Sequence, residues 1–129
     1  MDRGPNHVPN ATSLPFAELK AQAKKPSYRA LLRNPDAFLG DPVFFRGEVL
    51  QAQDDEEGGQ FLLVSVTKGR FGIWDDNVAL SWSRRPRVIP EDIVDFVMVG
   101  AGNYGYESAG AGYLTIPSGA VVKLRIVKG

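Results

Sequence analysis

The sequence predicts a small, mainly β fold in which five strands close into a barrel behind short N-terminal helices. Three observations lead there. Apolar residues alternate with period two in stretches of strand length from residue 42 onward. Helical spacing is confined to residues before that point, so helices do not alternate with strands as a parallel α/β sheet requires. Clusters of glycine and acidic residues separate the alternating stretches, as turns do.

Residues 1–12 carry Pro5, Asn6, Pro9 and Asn10 with little apolar content and read as an extended arm. With one short helix, this arm is expected to occupy 1–26 and the domain proper 27–129. Leu14 to Lys25 suits a helix: Ser13 is a candidate cap, Pro15 fits a first turn, Phe16 and Leu19 share a face, and Pro26 stops it. A second short helix covers Ser27 to Arg33, with Ser27 as cap and Tyr28, Leu31 and Leu32 at helical spacing. Asn34-Pro35-Asp36 ends or turns it.

The first strand is expected over Pro42 to Gln53, with Val43, Phe45 and Val49 on one face. Gly47 between them marks a bulge or sharp bend, which a strand serving both halves of a small barrel needs. Asp54-Asp55-Glu56-Glu57-Gly58-Gly59 reads as an acidic hairpin loop, and the second strand, Gln60 to Thr67, places Leu62, Val64 and Val66 on one face. Phe71 to Trp74, bracketed by Lys68-Gly69-Arg70 and Asp75-Asp76-Asn77, reads as an irregular excursion. Val78, Leu80 and Trp82 then alternate as the third strand. Ser83-Arg84-Arg85-Pro86-Arg87 is a basic loop and Ile89-Pro90-Glu91-Asp92 a turn. Ile93 to Gly100 is nearly continuous in apolar residues, as a central strand can be. Ala101 to Ser118 is a long loop or hairpin rich in Gly and Tyr, and Val122, Leu124 and Ile126 alternate with Lys123 and Arg125 in the last strand.

At 129 residues the chain is of single-domain size and long enough to bury a core without staples. It has no cysteine, which removes disulfides, thiolate metal sites and cysteine nucleophiles together. Lys and Arg number 15 and Asp and Glu 15, so no whole-molecule field draws the chain to nucleic acid; such a contact needs a local patch. No apolar run approaches the roughly 18–20 residues of a membrane span. Met1-Asp2-Arg3-Gly4-Pro5-Asn6 lacks the basic-then-apolar pattern of a secretory signal. As written the chain is expected in the cytoplasm, or outside it if a signal or anchor has been removed.

Catalytic groups are scarce, and an enzyme is not expected. His7 is the single histidine and lies in the arm, where no scaffold positions a base. Asp75-Asp76 and Glu91-Asp92 are adjacent pairs in turns and read as turn chemistry rather than as a dyad. Asp54 to Glu57 offer oxygens to a hard cation, but not at the spacing of a calcium loop, so a solvated hairpin tip is expected and no metal or cofactor. Gly100-Ala101-Gly102 with Gly105 has the look of a phosphate loop, but no helix follows to supply an N-terminus.

Taken in order, several stretches form a recognisable series. They are Tyr28 to Gly40, Val43-Phe44-Phe45-Arg46-Gly47-Glu48-Val49, Val66-Thr67-Lys68-Gly69 and Gly72-Ile73-Trp74-Asp75-Asp76. Ile89-Pro90-Glu91-Asp92-Ile93-Val94 follows, then Gly100 through Tyr106-Glu107-Ser108 to Thr115-Ile116-Pro117. Over about residues 28 to 127 this series resembles small bacterial OB-fold proteins related to the tRNA-anticodon-binding type of nucleic-acid-binding domain. Many members of that family are preceded by a signal, a lipid anchor or a membrane segment, and this sequence departs from them in having none and no cysteine to lipidate.

The resemblance implies a five-stranded Greek-key OB-fold barrel and a non-enzymatic binding module whose leading ligand is single-stranded nucleic acid. OB barrels hold single strands on the face of strands two and three, flanked by the one–two and four–five loops. On that frame Phe71, Trp74, Tyr104 and Tyr106 are the candidate stacking residues, and Lys68, Arg70, Arg84 and Arg85 the candidate phosphate partners. Tyr113 also lies in the four–five loop, while Trp82 continues the inward Val78–Leu80 face and reads as core; Trp74 is open to either role. The carboxylates of Asp54 to Glu57 stand at the mouth of that groove and repel a phosphate backbone. A protein partner or an envelope-associated role suits a neutral chain with a Tyr-rich loop, and oligosaccharide binding uses aromatic platforms on the same fold.

Overall fold

The computed structural model describes residues 14–110 and 112–129; His7, the arm over residues 1–12 and the Ser13 cap lie outside the described residues. Two short helices, α1 (Phe16–Gln22) and α2 (Tyr28–Arg33), precede β1 (Pro42–Asp54), β2 (Gln60–Lys68), β3 (Trp74–Trp82), β4 (Ile93–Ser108) and β5 (Gly112–Lys128). The five strands make one mixed sheet that closes in a ring, in the order β1-β2-β3-β5-β4 with β4 returning to β1. Neighbours are antiparallel except β3 and β5, which run parallel where Ala79–Ser81 meets Ser118–Ala120.

β1 changes partner at its centre. Pro42 to Glu48 pairs with β4, and Glu48 to Asp54 pairs with β2. The changeover falls beside Gly47, where the sequence suggested a bend; the bulge lies farther on, where the register slips between Val49 and Gln51. Gly47 is required for another reason. A β-carbon there would overlap the carbonyl oxygen of Ser65 and come within 2.6 Å of Val64 Cγ1.

The period-two positions of β1, β2 and β3 point inward as expected, whereas on β5 a register shift puts Val121 in the core and packs Val122 outside it with Leu19, Ala23 and Val97. Val43, Phe45 and Val49 meet Leu62 and Val64, Val78, Leu80 and Trp82, and Phe96 and Met98 in one buried cluster. Each such side chain contributes about 1.5–3 kcal/mol on burial. One end of the ring is closed by α2: Leu31 enters the core, and Tyr28 and Phe38 pack on it. Ser27 caps α2, its Oγ accepting from the Ala30 N–H at 3.1 Å. Buried Gln60 helps to close the other end. Its Nε2 donates to the Val88 carbonyl at 2.9 Å, and its Oε1 accepts from the Val88 N–H at 3.0 Å.

α1 and β3 differ from expectation. α1 spans Phe16–Gln22 rather than Leu14 to Lys25, because Ala23 turns extended and Lys24 bridges to Val43. The Lys24 N–H donates to Pro42 and the Phe44 N–H to Lys24, each at 2.9 Å, so sheet pairing displaces the last helical turn. Pro15 stands at the N-cap of α1 rather than inside its first turn. β3 begins at Trp74, so Asp75, Asp76 and Asn77 lie in a strand and not in a turn; Asp75 faces Thr67 and Asn77 faces Ser65. Cross-strand pairing overrides the local turn preference of these residues, and Asp76 meets it with a positive φ of 66°. Of the two options open for Ala101–Ser118, the hairpin is realised: β4 and β5 continue as a ribbon to the pair Ser108–Gly112. Glu91-Asp92 does form a turn, with Asp92 Oδ2 accepting from the Ile89 N–H at 3.0 Å.

Gly47→Ala is expected to lower stability by about 1–3 kcal/mol through overpacking against β2. The measurement is a urea titration, in which the midpoint falls with little change in slope. A wild-type midpoint would mean that β1 and β2 are not in contact at this point.

Candidate functional site

Positions that alternate with the core face outward: Phe61, Leu63 and Ser65 on β2, and Asn77, Ala79 and Ser81 on β3. Ser65 and Ala79 are nevertheless buried, and Ser65 Oγ donates to Asn77 Oδ1 at 2.7 Å. The β4–β5 hairpin curls toward this face. Its Tyr104 ring lies 5.3 Å from Phe61, and Tyr106 stacks 6.4 Å beyond Tyr104 at 23° between planes. Tyr104 is exposed, whereas Phe61 and Tyr106 are partly buried. Across the hairpin, Tyr113 lies over Gly105, where a β-carbon would overlap its hydroxyl; an aromatic ring thus takes the space a side chain would fill.

At its far end the row adjoins Tyr28, whose Oη donates to the Asn77 carbonyl at 2.9 Å. Burial, followed by the charges of Asp76, Tyr106 and Asp75, pushes Tyr28 up to about 12. The hydroxyl therefore keeps its proton and serves as the donor that pins α2 to β3.

The expected contact residues fall into three separate places. Tyr104 and Tyr106 join the row with Phe61, which the sequence reading passed over because one aromatic among strand residues carries no signal of its own. Lys68, Arg70, Phe71 and Trp74 gather instead at the β2–β3 connection. There Lys68 Nζ sits 5.9 Å over the Trp74 ring, and Phe71 is 95% exposed on a backbone of φ 62°. Trp74 lines a groove of about 600 Å³ with Arg46, Glu48, Ile93 and Val127. The register sets Trp74 opposite Lys68 but Phe61 opposite Ser81, a separation of about 23 Å at the usual strand rise. Phe71 and Trp74 are thus not part of the stack that holds the tyrosines. Arg84 and Arg85 lie past the other end of β3, beside Trp82, which is buried as expected and donates from Nε1 to the Pro86 carbonyl at 2.8 Å. They line a groove of about 450 Å³ with Phe16, Lys123 and Arg125, none of which the sequence singled out.

A second polar centre lies on the outer side of β4. Asp95 is fully buried, and Arg46 Nε reaches it at 2.6 Å from β1 and Arg125 Nη2 at 3.0 Å from β5. Burial by itself raises its pKa. The hydrogen bonds of Arg46 and Arg125, with the charges of Arg46 and Lys20, outweigh that and hold Asp95 below the ordinary carboxylate value. α1 rests on the same cluster: Arg125 stands 4.7 Å from the Phe16 ring, and Leu19 and Ala23 bury against Val97. The sequence signal for this centre was a lone Asp interrupting an apolar strand.

The acidic loop is turn chemistry. Asp54 pairs with Arg87 at 2.6 Å, and Asp55 Oδ1 accepts from the amides of Glu57 and Gly59 at 2.9 and 2.8 Å. Among the described residues, no group of three or more His, Asp or Glu side chains is placed to hold a metal, and no helix is long and apolar enough to cross a membrane. Chemically, the arrangement offers a row of flat rings on one side of β3 and a cluster of guanidinium and ammonium groups at its end. No protein-family model matches this chain, and neither the curated proteins nor the solved structures contain a match.

Asp95→Asn is expected to cost about 1–2 kcal/mol at neutral pH, less than a fully buried charge-assisted pair because both arginines reach water. Since folding lowers the Asp95 pKa, its contribution is complete above the unfolded carboxylate value and is lost as pH falls through the folded one. Urea midpoints of the two proteins should therefore differ near pH 7, begin to approach one another only below about pH 4, and converge once the pH is below the lowered folded value. An equal difference at both pH values would show that the Asp95 charge is not what stabilises the cluster.

Proposed function

We propose that this chain is a non-enzymatic binding module of the OB type whose ligand is single-stranded nucleic acid, held by stacking on Phe61, Tyr104 and Tyr106. The observation that carries this is the row of rings at 5.3 and 6.4 Å spacing on the outer side of β2 and β3. OB folds use that side for single strands, flanked by the one–two and four–five loops. Two features favour the OB assignment: β1 is shared between β2 and β4, and the ring closes through a parallel β3–β5 contact. Arg84 and Arg85 stand near the Phe61 end of the row, where they can meet a backbone leaving it; Lys68 and Arg70 stand apart from it. The family resemblance of the sequence points to the same class of ligand, as an association rather than a mechanism.

A protein partner has one observation in its favour. Phe71 and Ile73 are 95% and 67% exposed at the opposite end of the molecule, and apolar surface of that kind marks interaction sites when it is contiguous.

Fluorescence anisotropy with a labelled mixed-sequence single-stranded oligonucleotide, at about 50 and then 200 mM salt, tests the proposal. Binding is expected at the lower salt and weakens at the higher. Tyr104→Ala should raise Kd about 5- to 150-fold, the equivalent of one stacked base, while Phe71→Ala leaves it unchanged. No binding at low salt would overturn the nucleic-acid proposal and leave the Phe71–Ile73 surface as the place to seek a protein partner.

A further inference from the structure

We infer that the groove between α1 and the β3–β4 loop seats the phosphates of the nucleic-acid backbone, held by Arg84, Arg85, Lys123 and Arg125. This rests on the nucleic-acid proposal and extends it to a surface outside the β2–β3 face. The parallel register supplies the first observation. Ser81, the last β3 residue paired with β5, lies opposite Ala120, and just beyond it Arg84 and Arg85 line one groove with Lys123 and Arg125, so loop and strand cations are gathered by topology.

The second observation is what lines the groove. It measures about 450 Å³ and is bounded by these four cations, with Phe16 and Trp82 among its apolar walls and no carboxylate in its lining. A neighbouring groove of about 240 Å³ shares Arg84, Arg85 and Trp82, adds Arg87, and also has no carboxylate. In a chain whose formal charge is zero, this is a marked segregation of charge.

The third observation is the pairing of the cations themselves. Among the described residues the ion pairs are Lys24–Asp41, Arg46–Asp95, Arg87–Asp54 and Arg125–Asp95, so Arg84, Arg85 and Lys123, like Lys68 and Arg70 elsewhere, have none. Arg125 shares a single carboxylate with Arg46, so that cluster keeps an excess positive charge. Arg125 is also fixed in place, between Asp95 at 3.0 Å and the Phe16 ring at 4.7 Å. A fixed guanidinium loses little freedom on meeting an anion, and its planar fork matches two phosphate oxygens.

The groove is placed to share a strand with the stacking row. Phe61 is opposite Ser81 on one side of β3, and Ser81 is opposite Ala120 on the other. A strand whose bases lie on the rings thus needs to advance only along the end of β3 for its phosphates to reach Arg84 and Lys123.

The test is the salt dependence of oligonucleotide binding, by the same anisotropy assay, for wild type, Lys123→Gln, Arg85→Gln and the control Lys68→Gln. These side chains sit at the surface or partly so, and urea midpoints confirm that each variant is folded. Lys123→Gln and Arg85→Gln should each flatten the slope of log K against log salt by about 0.7, and weaken all sequences alike. Lys68→Gln should match wild type. Wild-type binding with an unaltered slope in both groove variants overturns the phosphate seat and leaves the stacking proposal standing. Failure of wild type to bind any oligonucleotide overturns both. A second probe, inorganic tripolyphosphate followed by NMR, should shift the amides of Arg84, Arg85 and Lys123 in wild type; shifts confined to Lys68 and Arg70 would also overturn the seat.

Discussion

Closure of the ring makes its heaviest demand on β1, which has to hydrogen-bond β4 along its first half and β2 along its second. A strand can serve both neighbours only if it bends across the core between them, and the bend drives its backbone into the Ser65 carbonyl. Gly47 meets that demand by having no side chain. The other features of the ring follow from the same closure. Its inside is filled by alternating apolar positions of the five strands, and its two ends need separate covers, supplied by Leu31 on α2 and by the Gln60–Val88 pair. A buried glutamine is tolerable there because its amide satisfies both the N–H and the carbonyl of one residue, Val88, and is itself satisfied by them.

With the inside filled, the chemistry is confined to what covers the outside, and two coverings divide it. α1 lies over β4 and β5 through Leu19, Ala23 and Val97, and brings Phe16 and Lys20 to the Asp95 cluster. The β4–β5 hairpin leans over β2, bringing Tyr104 onto Phe61. Between these coverings, at the end of β3, neither α1 nor the hairpin supplies a carboxylate to the groove lining. The cations there are a consequence of topology as much as of composition, since Arg84 follows β3, Lys123 lies on β5, and the parallel contact that ends at Ser81 and Ala120 brings both to one groove.

How much of this was legible depended on whether the signal was local. Val43, Phe45 and Val49, then Leu62 and Val64, then Val78, Leu80 and Trp82, announce the inward face because alternation is written into consecutive residues. Ser27 was legible as a cap for the same reason. The hairpin beyond Gly100 was harder to read. A ribbon wetted on much of both sides needs no apolar alternation, so its Gly and Tyr residues suit a loop equally well. Asp75-Asp76 misled because cross-strand pairing with β2, which sets Asp75 opposite Thr67, outweighs a turn preference. The candidate site suffered most. Phe61 with Tyr104, and Arg84 with Lys123, are relations across the sheet, and nothing in the spacing of either pair along the chain encodes them.

The separation of rings from cations bears on how a neutral protein would handle a polyanion. The Tyr106 end of the row adjoins Tyr28, which lies near Asp75 and Asp76, and the Phe61 end lies next to the strand that runs into Asp54. Phosphates laid along the rings would sit among these carboxylates, inside a screening length of about 10 Å at 0.1 M salt. Bases carry no charge and incur no such cost. On the proposed function, a single strand therefore does best by turning its bases toward Phe61, Tyr104 and Tyr106 and its phosphates toward the groove beyond Ser81. Arg87 assists by engaging Asp54, which removes the nearest carboxylate of the acidic loop from competition. A net charge of zero is compatible with that proposal, because what the phosphates would meet is the local field of Arg84, Arg85 and Lys123 and not the sum over the molecule.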